Sequence, residues 1–245
     1  MLSANDIWKR RVQKKYKIVS FPVVEIDELI PNFNESISHF AFLDGGSLPT
    51  DIGLLQAIAK KYSGCKYFEI GTWRGESVAN VSNYAGECYT LNLSSSELIQ
   101  SGLTEKYASM QGFFSRELKN IVHLQGNSLT YDFSSLNKKF DLVFIDGDHR
   151  HGFVKSDTEK VFAHLIHEKS IIVWHDYGYD PENIRYEVMD AILEGSPEKF
   201  HDHLYHVSNT LCAIFTREKL KTTIIDVPVE PTKEFRVDIR TNRRI

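Results

Sequence analysis

An almost wholly apolar run that is closed by an acid constrains the fold of this 245-residue chain more than any other feature. The run is Phe140–Asp146 (FDLVFID). A strand that is buried on both faces needs this continuous apolar character, and such strands are typical of parallel sheets covered by helices. A second run, Ser170–Trp174 (SIIVW), follows a helical pattern at Val154–Leu165. The two runs predict the centre of an α/β sheet.

Strand-like and helical patterns alternate along most of the chain, which favours a parallel sheet with helices on both faces. Ligands bind beyond the carboxyl ends of the strands in such sheets, near the point where the strand order reverses. The residues just after each strand are therefore the candidate site. The further predicted strands are Lys66–Ile70, Glu87–Leu93, Ile121–Gln125 and a closing hairpin of Leu204–Val207 with Leu211–Phe215.

The positions of Pro and Gly and the changes in hydrophobic pattern predict three segments. Residues 1–49 are irregular, with Pro22, Pro31, Pro49 and Gly45-Gly46 between short apolar pieces, and we interpret them as an N-terminal extension and candidate lid. Residues 50–217 form the α/β domain. Residues 218–245 form a tail in which Phe235–Arg240 (FRVDIR) alternates apolar and charged residues, the period of a half-buried strand. The tail is predicted to be an edge strand or a subunit contact, which favours a homo-oligomer, in the simplest case a homodimer.

Composition narrows the class of protein. The chain is 42% apolar and 25% charged with a net charge of −4, as in ordinary globular proteins. Six basic residues in positions 1–20 predict a basic, solvated amphipathic helix, while the acidic body argues against a nucleic-acid groove. No apolar run is long enough for a membrane span. The charged N-terminus does not resemble a signal peptide, and three widely spaced cysteines predict reduced thiols, so we expect a cytoplasmic protein.

The loop after the first predicted strand reads EIGTWRGES, from Glu69 to Ser77. Gly71 permits a sharp turn, and Gly75 lets the next helix begin close to a ligand. A phosphate loop would need an unencumbered glycine centre, whereas Trp73 fills this one and Glu69 adds negative charge. The loop therefore favours a ligand with an ammonium or sulfonium centre; the alternative is a plain strand–helix turn.

Acids and histidines follow the two central strands. Asp146 begins the sequence DGDH, and His175 and Asp176 follow the next strand. If the strands are neighbours, these three side chains could hold a divalent cation such as Mg²⁺ or Mn²⁺. His149 lies three residues beyond Asp146 and could act as a general base. The alternative is that the same groups cap helices and bond to loop backbone.

These motifs, in this order, resemble those of class I S-adenosylmethionine-dependent methyltransferases of the small-molecule O-methyltransferase type. EIGTWRGES resembles the first cofactor motif of catechol-type enzymes, and FDLVFIDGDH and IIVWHDYG resemble motifs of metal-assisted sugar and macrolide O-methyltransferases. The resemblance spans about residues 46–215 and implies a doubly wound, mostly parallel, seven-stranded Rossmann-like sheet.

The resemblance also implies roles for individual residues. It assigns catalysis to His149 and Asp146, and metal binding to Asp146, His175 and Asp176. Two positions depart from the family pattern, since Asn92 and Asn127 stand where acids usually grip the ribose and face the adenine. An uncharged amide makes a weaker bond than a carboxylate. The cofactor positions implied are Glu69, Gly71, Thr72, Trp73, Gly75, Ser77, Asn92, Asn127, Ser128 and Asp146.

Three functions are compatible with these features. The first is transfer of a methyl group from S-adenosylmethionine to a hydroxyl of a small acceptor, glycosylated or not, with or without a divalent metal. The second is a methyltransferase-like domain that binds a ligand or partner without catalysis, in line with Asn92 and Asn127. The third is a nicotinamide-dependent oxidoreductase, which Trp73 disfavours.

Overall fold

The computed structural model describes residues 2–243. Eight strands form one sheet in the order β1-β9-β10-β6-β5-β2-β3-β4. The bounds of these strands are Val23–Val24 (β1), Cys65–Ile70 (β2), Ala85–Asn92 (β3), Ile121–Gln125 (β4), Phe140–Ile145 (β5), Ile166–Trp174 (β6), Leu204–Val207 (β9) and Ala213–Phe215 (β10). A separate small hairpin pairs β7 (Gly178–Asp180) with β8 (Asn183–Ile184).

The sheet is mostly parallel, as predicted. Strands β6, β5, β2, β3 and β4 run parallel to one another, and β10 is antiparallel to both of its neighbours. The order reverses between β2 and β5, which is where a doubly wound sheet binds ligands. The sheet has eight strands instead of seven, because β1, from the N-terminal extension, pairs with β9.

Helices cover both faces of the sheet. One face packs against α1, α7 and α8, and the other against α2, α3 and α4. The fully buried side chains of β5, which are Phe140, Leu142, Val143 and Phe144, explain the nearly continuous apolar run in the sequence. The helices are Ala4–Tyr16 (α1), Ile26–Leu29 (α2), Pro49–Ala59 (α3), Glu76–Val81 (α4), Ser95–Gln100 (α5), Glu105–Ser109 (α6), His151–Lys160 (α7) and Tyr186–Gly195 (α8), with a π-helical turn at Val161–Leu165 and 3-10 turns at Phe133–Leu136 and Glu198–His203.

The basic N-terminal helix is docked on the domain. Val12 of α1 is fully buried. Arg11 and Lys15 donate to Glu194 of α8 at 2.6 and 2.7 Å, and these bonds lower the pKa of Glu194 to about 2 although its burial opposes the shift. The prediction of a helix is thus confirmed, but the helix is part of the fold and not merely solvated, because Val12 and the basic side chains bind α8.

The prediction of a strand at Phe235–Arg240 is wrong for the chain as described. These residues form no regular structure, and the side chains of Val237 and Ile239 are 68% and 72% exposed. At the outer edge of the sheet, β1 instead pairs with Thr223, whose backbone both donates a hydrogen bond to Val23 and accepts one from it. An alternating pattern makes a strand only when a partner edge is free, and Thr223 already bonds this one.

Among residues 2–243, no helix combines the length and the apolar character that a membrane crossing requires. Cys65, Cys88 and Cys212 are buried and unpaired, as the sequence predicted.

Candidate functional site

The predicted site residues lie along one edge of the sheet. Strands β5 and β6 are neighbours, with Ile145 opposite Trp174, so Asp146 and His175 follow directly from paired residues. The loop after β2 lies on the other side of β5, and the ends of β3 and β4 continue the row. The cofactor-loop residues and the candidate metal ligands thus share one crevice edge.

The two glycines of the loop after β2 are required by close contacts. Gly71 has a φ of +93°, and a Cβ there would lie 1.9 Å from the carbonyl oxygen of Asp146. Gly75 has a φ of +75°, and its Cβ would meet the Ser115 hydroxyl at 2.3 Å. The positive φ of Gly71 fits the sharp turn expected there, and its missing side chain also makes room for the backbone after β5.

Glu69 is completely buried beneath this loop among hydroxyl groups. Tyr67 and Ser77 donate to its Oε2 at 2.6 and 2.5 Å, and Thr90 donates to Oε1 at 3.3 Å. Burial raises the pKa of Glu69 to about 8, and the hydroxyl bonds only partly oppose that shift. The Thr72 hydroxyl extends the network to Thr90 at 2.5 Å. Glu69 thus ties β2, β3 and α4 together.

Trp73 lies at the centre of the loop with a positive φ of 41°, a conformation that is rare for a bulky residue. Its ring stacks on Tyr107 with centroids 4.1 Å apart, and its buried Nε1 makes no hydrogen bond within residues 2–243. The neighbouring Arg74 donates to the backbone carbonyls of Leu43 and Asp44. The N-terminal extension therefore crosses next to the loop, where a lid would need to be.

The two asparagines that depart from the family pattern are both near the row of strand ends. The Asn92 amide donates to Gln111 Oε1 at 2.8 Å at the end of β3. Asn127 caps a turn by accepting from the backbone N–H of Leu129, and the Ser128 carbonyl accepts from Lys160 at 2.5 Å. Their places fit the predicted cofactor row, and their roles as ligands stay predictions.

The three predicted metal ligands are brought together. His175 Nδ1 lies 3.0 Å from Asp146 Oδ1 and 3.6 Å from Asp176 Oδ2. The candidate ligand atoms of all three residues lie within 4.8 Å of one another. The side chain of His175 is 7% exposed, whereas those of Asp146 and Asp176 are 27% and 24% exposed, so the cluster opens to solvent on its carboxylate side.

Sequence reasoning missed Asp51, which holds the other side of the imidazole. Its fully buried carboxylate lies 3.2 Å from His175 Nε2 and also accepts from the backbone N–H of Leu48 and Leu211 at 2.7 and 2.9 Å. Asp51 sits in the first turn of α3, where an acid is common for reasons of capping alone. Only the packing of α3 against β6 could reveal its second partner.

The electrostatics of the cluster follow from burial opposed by charge. Burial by itself would lower the pKa of His175, but three carboxylates outweigh it and hold that pKa well above its ordinary value. Burial raises the pKa of Asp146, and His175 opposes this shift only partly. The pKa of Asp176 is lowered despite burial, because His175 and Arg185 stabilise its charge; Arg185 Nη2 lies 3.4 Å from Asp176 Oδ1.

The donor set fits a divalent cation. Within residues 2–243, the buried His175 Nδ1 makes no hydrogen bond of acceptable geometry, although two carboxylate oxygens face it. The Nε2 atom is engaged by Asp51, so Nδ1 would be the ligand atom once a cation has displaced its proton, as in many histidine metal sites. One imidazole with two carboxylates suits Mn²⁺, Fe²⁺ or Zn²⁺, and Mg²⁺ is compatible through the oxygens.

His149 lies at the exposed rim of a shallow crevice of about 10 Å³ that also contacts Asp146, His175 and Asp176. Its imidazole makes no hydrogen bond to any residue from 2 to 243, so the structure gives no support to the alternative of a loop-capping role. The neighbouring Asp148 is paired with Arg150 in a bidentate ion pair. His149 is therefore the side chain here that is open to a reacting molecule.

A second buried acid near the site was also missed. Asp157 of α7 is 1% exposed, and burial raises its pKa to about 6. Its Oδ1 has no hydrogen-bond partner among the described residues. No sequence pattern marks Asp157 as buried, because an acid in the middle of a helix normally faces solvent.

Comparison with known proteins agrees with this geometry. Residues 68–177 match the model of a family described as a methyltransferase domain. No curated protein matches the chain significantly. Among solved structures, the SAH-bound methyltransferase PaMTH1 from Podospora anserina is 18% identical over 89% of this chain and 99% of its own, with a TM-score of 0.50. Cofactor-bound Rv0187 from MTB is 18% identical over 71% and 83%, with a TM-score of 0.45.

Residues 68–177, somewhat less than half of the chain, are similar to a methyltransferase domain, and the sheet has the Rossmann-like fold of class I methyltransferases. At 18% identity the likeness to PaMTH1 supports the fold alone. The acceptor, the metal and the catalytic roles of individual residues are inferred below from the site of this chain.

Proposed function

We propose that the protein is an O-methyltransferase that moves a methyl group from S-adenosylmethionine to a hydroxyl of a small acceptor. Asp146, His175 and Asp176 would hold a divalent cation, which would lower the pKa of the acceptor hydroxyl, and His149 is the general base. The observation that carries this proposal is the open cluster of these three side chains beside the loop of Gly71. The reacting oxygen and the methyl donor would meet between the two.

The residues that would hold the cofactor are those along the ends of β2, β3 and β4. S-adenosylmethionine, when bound, supplies an electrophilic methyl group on a sulfonium. The loop from Gly71 to Gly75 offers backbone groups to the methionine part, and Asn92 and Asn127 offer amide groups to the ribose and the adenine. Glu69 acts beneath the loop, since its carboxyl group is occupied by protein hydroxyls and fixes the loop in place.

The acceptor would bind on the side of β5 and β6. A hydroxyl is a weak nucleophile while it keeps its proton, and a coordinated divalent cation lowers its pKa. His149, at the rim of the same crevice, accepts that proton and holds it on its imidazole. Asp51 fixes the His175 ring from behind, and Arg185 orients Asp176. These two residues position the ligands and do not touch the acceptor.

Cofactor binding is tested first by calorimetric titration of the purified chain with S-adenosylmethionine, S-adenosylhomocysteine and NAD. The proposal expects binding of the first two and none of NAD. Binding of S-adenosylmethionine without turnover of any hydroxyl acceptor, in the presence of Mg²⁺ or Mn²⁺, would favour the second function, a methyltransferase-like domain that binds without catalysis.

The base is tested with His149→Ala once an acceptor hydroxyl has been found by screening. General base catalysis typically contributes about 10²–10⁴-fold, so kcat should fall by that factor with the affinity for S-adenosylmethionine unchanged. His164→Ala is the matched control, because His164 is exposed in the π-helical turn, outside the site. Full activity in His149→Ala would remove the base from the mechanism, and full activity after exhaustive chelation would remove the metal.

Two further expectations from the sequence, a cytoplasmic location and a homo-oligomer, also remain proposals. The three unpaired, buried cysteines support a reducing compartment such as the cytoplasm. The exposed apolar side chains of Phe235, Val237 and Ile239 support a subunit contact in a homo-oligomer. Light scattering of the full chain and of a variant that ends at residue 230 distinguishes a dimer from a monomer.

A further inference from the structure

A second cavity lies away from the candidate methyl-transfer site, at the β1 edge of the sheet. Its volume is about 420 Å³, within the range of small-molecule sites. Strand β1 is three places from β6 in the sheet, which puts this cavity roughly 14 Å from the strand that precedes His175. The C-terminal tail forms its roof.

The roof is fixed at three points. Thr223 exchanges two backbone hydrogen bonds with Val23, at 2.8 and 2.9 Å. The backbone N–H of Val229 donates to Glu182 at 3.1 Å. Lys233 forms an ion pair with Glu25. The cavity therefore has walls that are held by specific contacts on each side.

A buried histidine in the wall has an unused acceptor. His206 of β9 is 3% exposed, and burial lowers its pKa to about 4, so the ring is neutral and carries one N–H. Nε2 lies 3.3 Å from the carbonyl oxygen of Thr210, which can only accept, so the N–H is on Nε2. Nδ1 is then a bare acceptor, and it has no hydrogen-bond partner within residues 2–243.

Other polar groups around the cavity would also bind a hydrogen-bond donor or a cation. The buried Oδ1 of Asn209 lacks a partner among the described residues. Four acids and one lysine line the cavity, so the net charge of its lining is −3. The lysine, Lys233, is paired with one of the acids, Glu25. The remaining lining is apolar apart from Ser208, Thr223 and Thr232. The lining acids are Glu25, Glu182, Asp226 and Glu230, and the apolar groups include Val23, Ile225 and Phe235.

We propose that this cavity is a binding site for a small organic amine in its protonated form, separate from the methyl-transfer site. The amine or a neighbouring N–H or O–H of the ligand donates to His206 Nδ1, and the positive charge faces Glu182 and Asp226. The apolar body of the ligand packs on Val23, Ile225 and Phe235. An anion is excluded by the acids, and a plain hydrocarbon would leave His206 without a partner.

The test is a calorimetric titration of the full chain with three compounds of similar shape: phenethylamine, 2-phenylethanol and 3-phenylpropionate. We expect the amine to bind with a dissociation constant in the millimolar range or below, about tenfold tighter than the alcohol, and the carboxylate not to bind. The amine titration is repeated in saturating S-adenosylhomocysteine, and the affinity should not change.

Two variants locate the binding. His206→Phe keeps a ring against Tyr177 and removes the acceptor, so amine affinity should fall about tenfold; His203→Gln, on the neighbouring turn and outside the cavity, is its control. The double variant Glu182→Gln with Asp226→Asn changes partly or fully exposed groups, so it keeps the proposal testable if His206→Phe fails to fold. It should weaken the amine about five- to tenfold at low salt.

The proposal is overturned if phenethylamine does not bind at millimolar concentration, or if 3-phenylpropionate binds equally well. It is also overturned if S-adenosylhomocysteine displaces the amine, or if the double variant binds the amine as the natural chain does.

Discussion

The cofactor side and the metal side of the candidate site surround their acids with different chemical groups. On the cofactor side, Glu69 is surrounded by neutral hydroxyls, and burial raises its pKa to about 8. On the metal side, Asp146 and Asp176 face an imidazole that Asp51 holds from behind. A carboxyl group among hydroxyls can remain neutral and serve the structure, whereas a carboxylate beside an imidazole and a guanidinium, such as Asp176, has a lowered pKa and can serve a cation.

The cofactor side and the metal side meet at Gly71, whose backbone packs against the backbone of Asp146. Gly71→Ala should have the largest effect, a loss of more than ~3 kcal/mol of unfolding free energy or a failure to fold, because its Cβ would overlap the Asp146 carbonyl oxygen. Gly64→Ala is the matched control: its φ is also positive, at +67°, but no described heavy atom lies within 4 Å of the added Cβ.

Chemical denaturation of both variants measures the difference. Gly64→Ala carries only the backbone strain, roughly 1 kcal/mol. Equal losses at the two positions would mean that the halves of the site are not in contact through Gly71.

Asp51→Asn sharpens the comparison on the metal side. The amide would present an N–H₂ to one of the donors that now share this carboxylate, among them Leu48, His175 and Leu211. We expect a loss of about 2 kcal/mol in stability and a fall of about 10–100-fold in Mn²⁺ affinity, as for other residues that orient a metal ligand. Asp238→Asn, in the exposed tail, removes an acid without either effect.

Mn²⁺ titration followed by electron paramagnetic resonance gives the affinity directly. Unchanged Mn²⁺ affinity in Asp51→Asn, at a measurable loss of stability, would leave Asp51 with a purely structural role.

At pH 5 the effect of Glu69→Gln is the smallest of these, and its sign depends on pH. The folded pKa of about 8 lies above the ordinary value of 4.5, so Glu69 favours folding most below about pH 4.5, and this contribution is lost as the pH rises through 8. The glutamine does not titrate. The variant should therefore be less stable than the natural chain at pH 5, by roughly 1 kcal/mol, and lose this deficit or become more stable by pH 8.5.

Unfolding by urea at the two pH values measures this change, with Glu105→Gln on the exposed first turn of α6 as the control. A pH-independent difference between Glu69→Gln and the natural chain would mean that Glu69 stays ionised in the fold.

Local patterns predicted much of the sheet. Apolar runs such as Phe140–Ile145 and Ile166–Trp174 identify central strands, because a strand with both faces buried tolerates few polar side chains. The acids and histidines that end these strands identified the candidate metal ligands, since parallel neighbours bring their carboxyl ends to one edge. The sequence does not determine the strand order. Asp146 meets His175 because β5 pairs with β6, and only the tertiary structure shows this pairing.

The sequence by itself determined the parts of this protein that depend on neighbours in the chain: the alternation of strands and helices, the glycine turn at Gly71 and the polar residues after each strand. Only the tertiary structure decided which distant groups meet. Asp51 reaches His175 across 124 residues, and Thr223 takes the edge that Phe235–Arg240 was predicted to extend. The physical reason is that capping and periodicity are properties of one segment, whereas a buried carboxylate or a free strand edge is defined by the partner that packs against it.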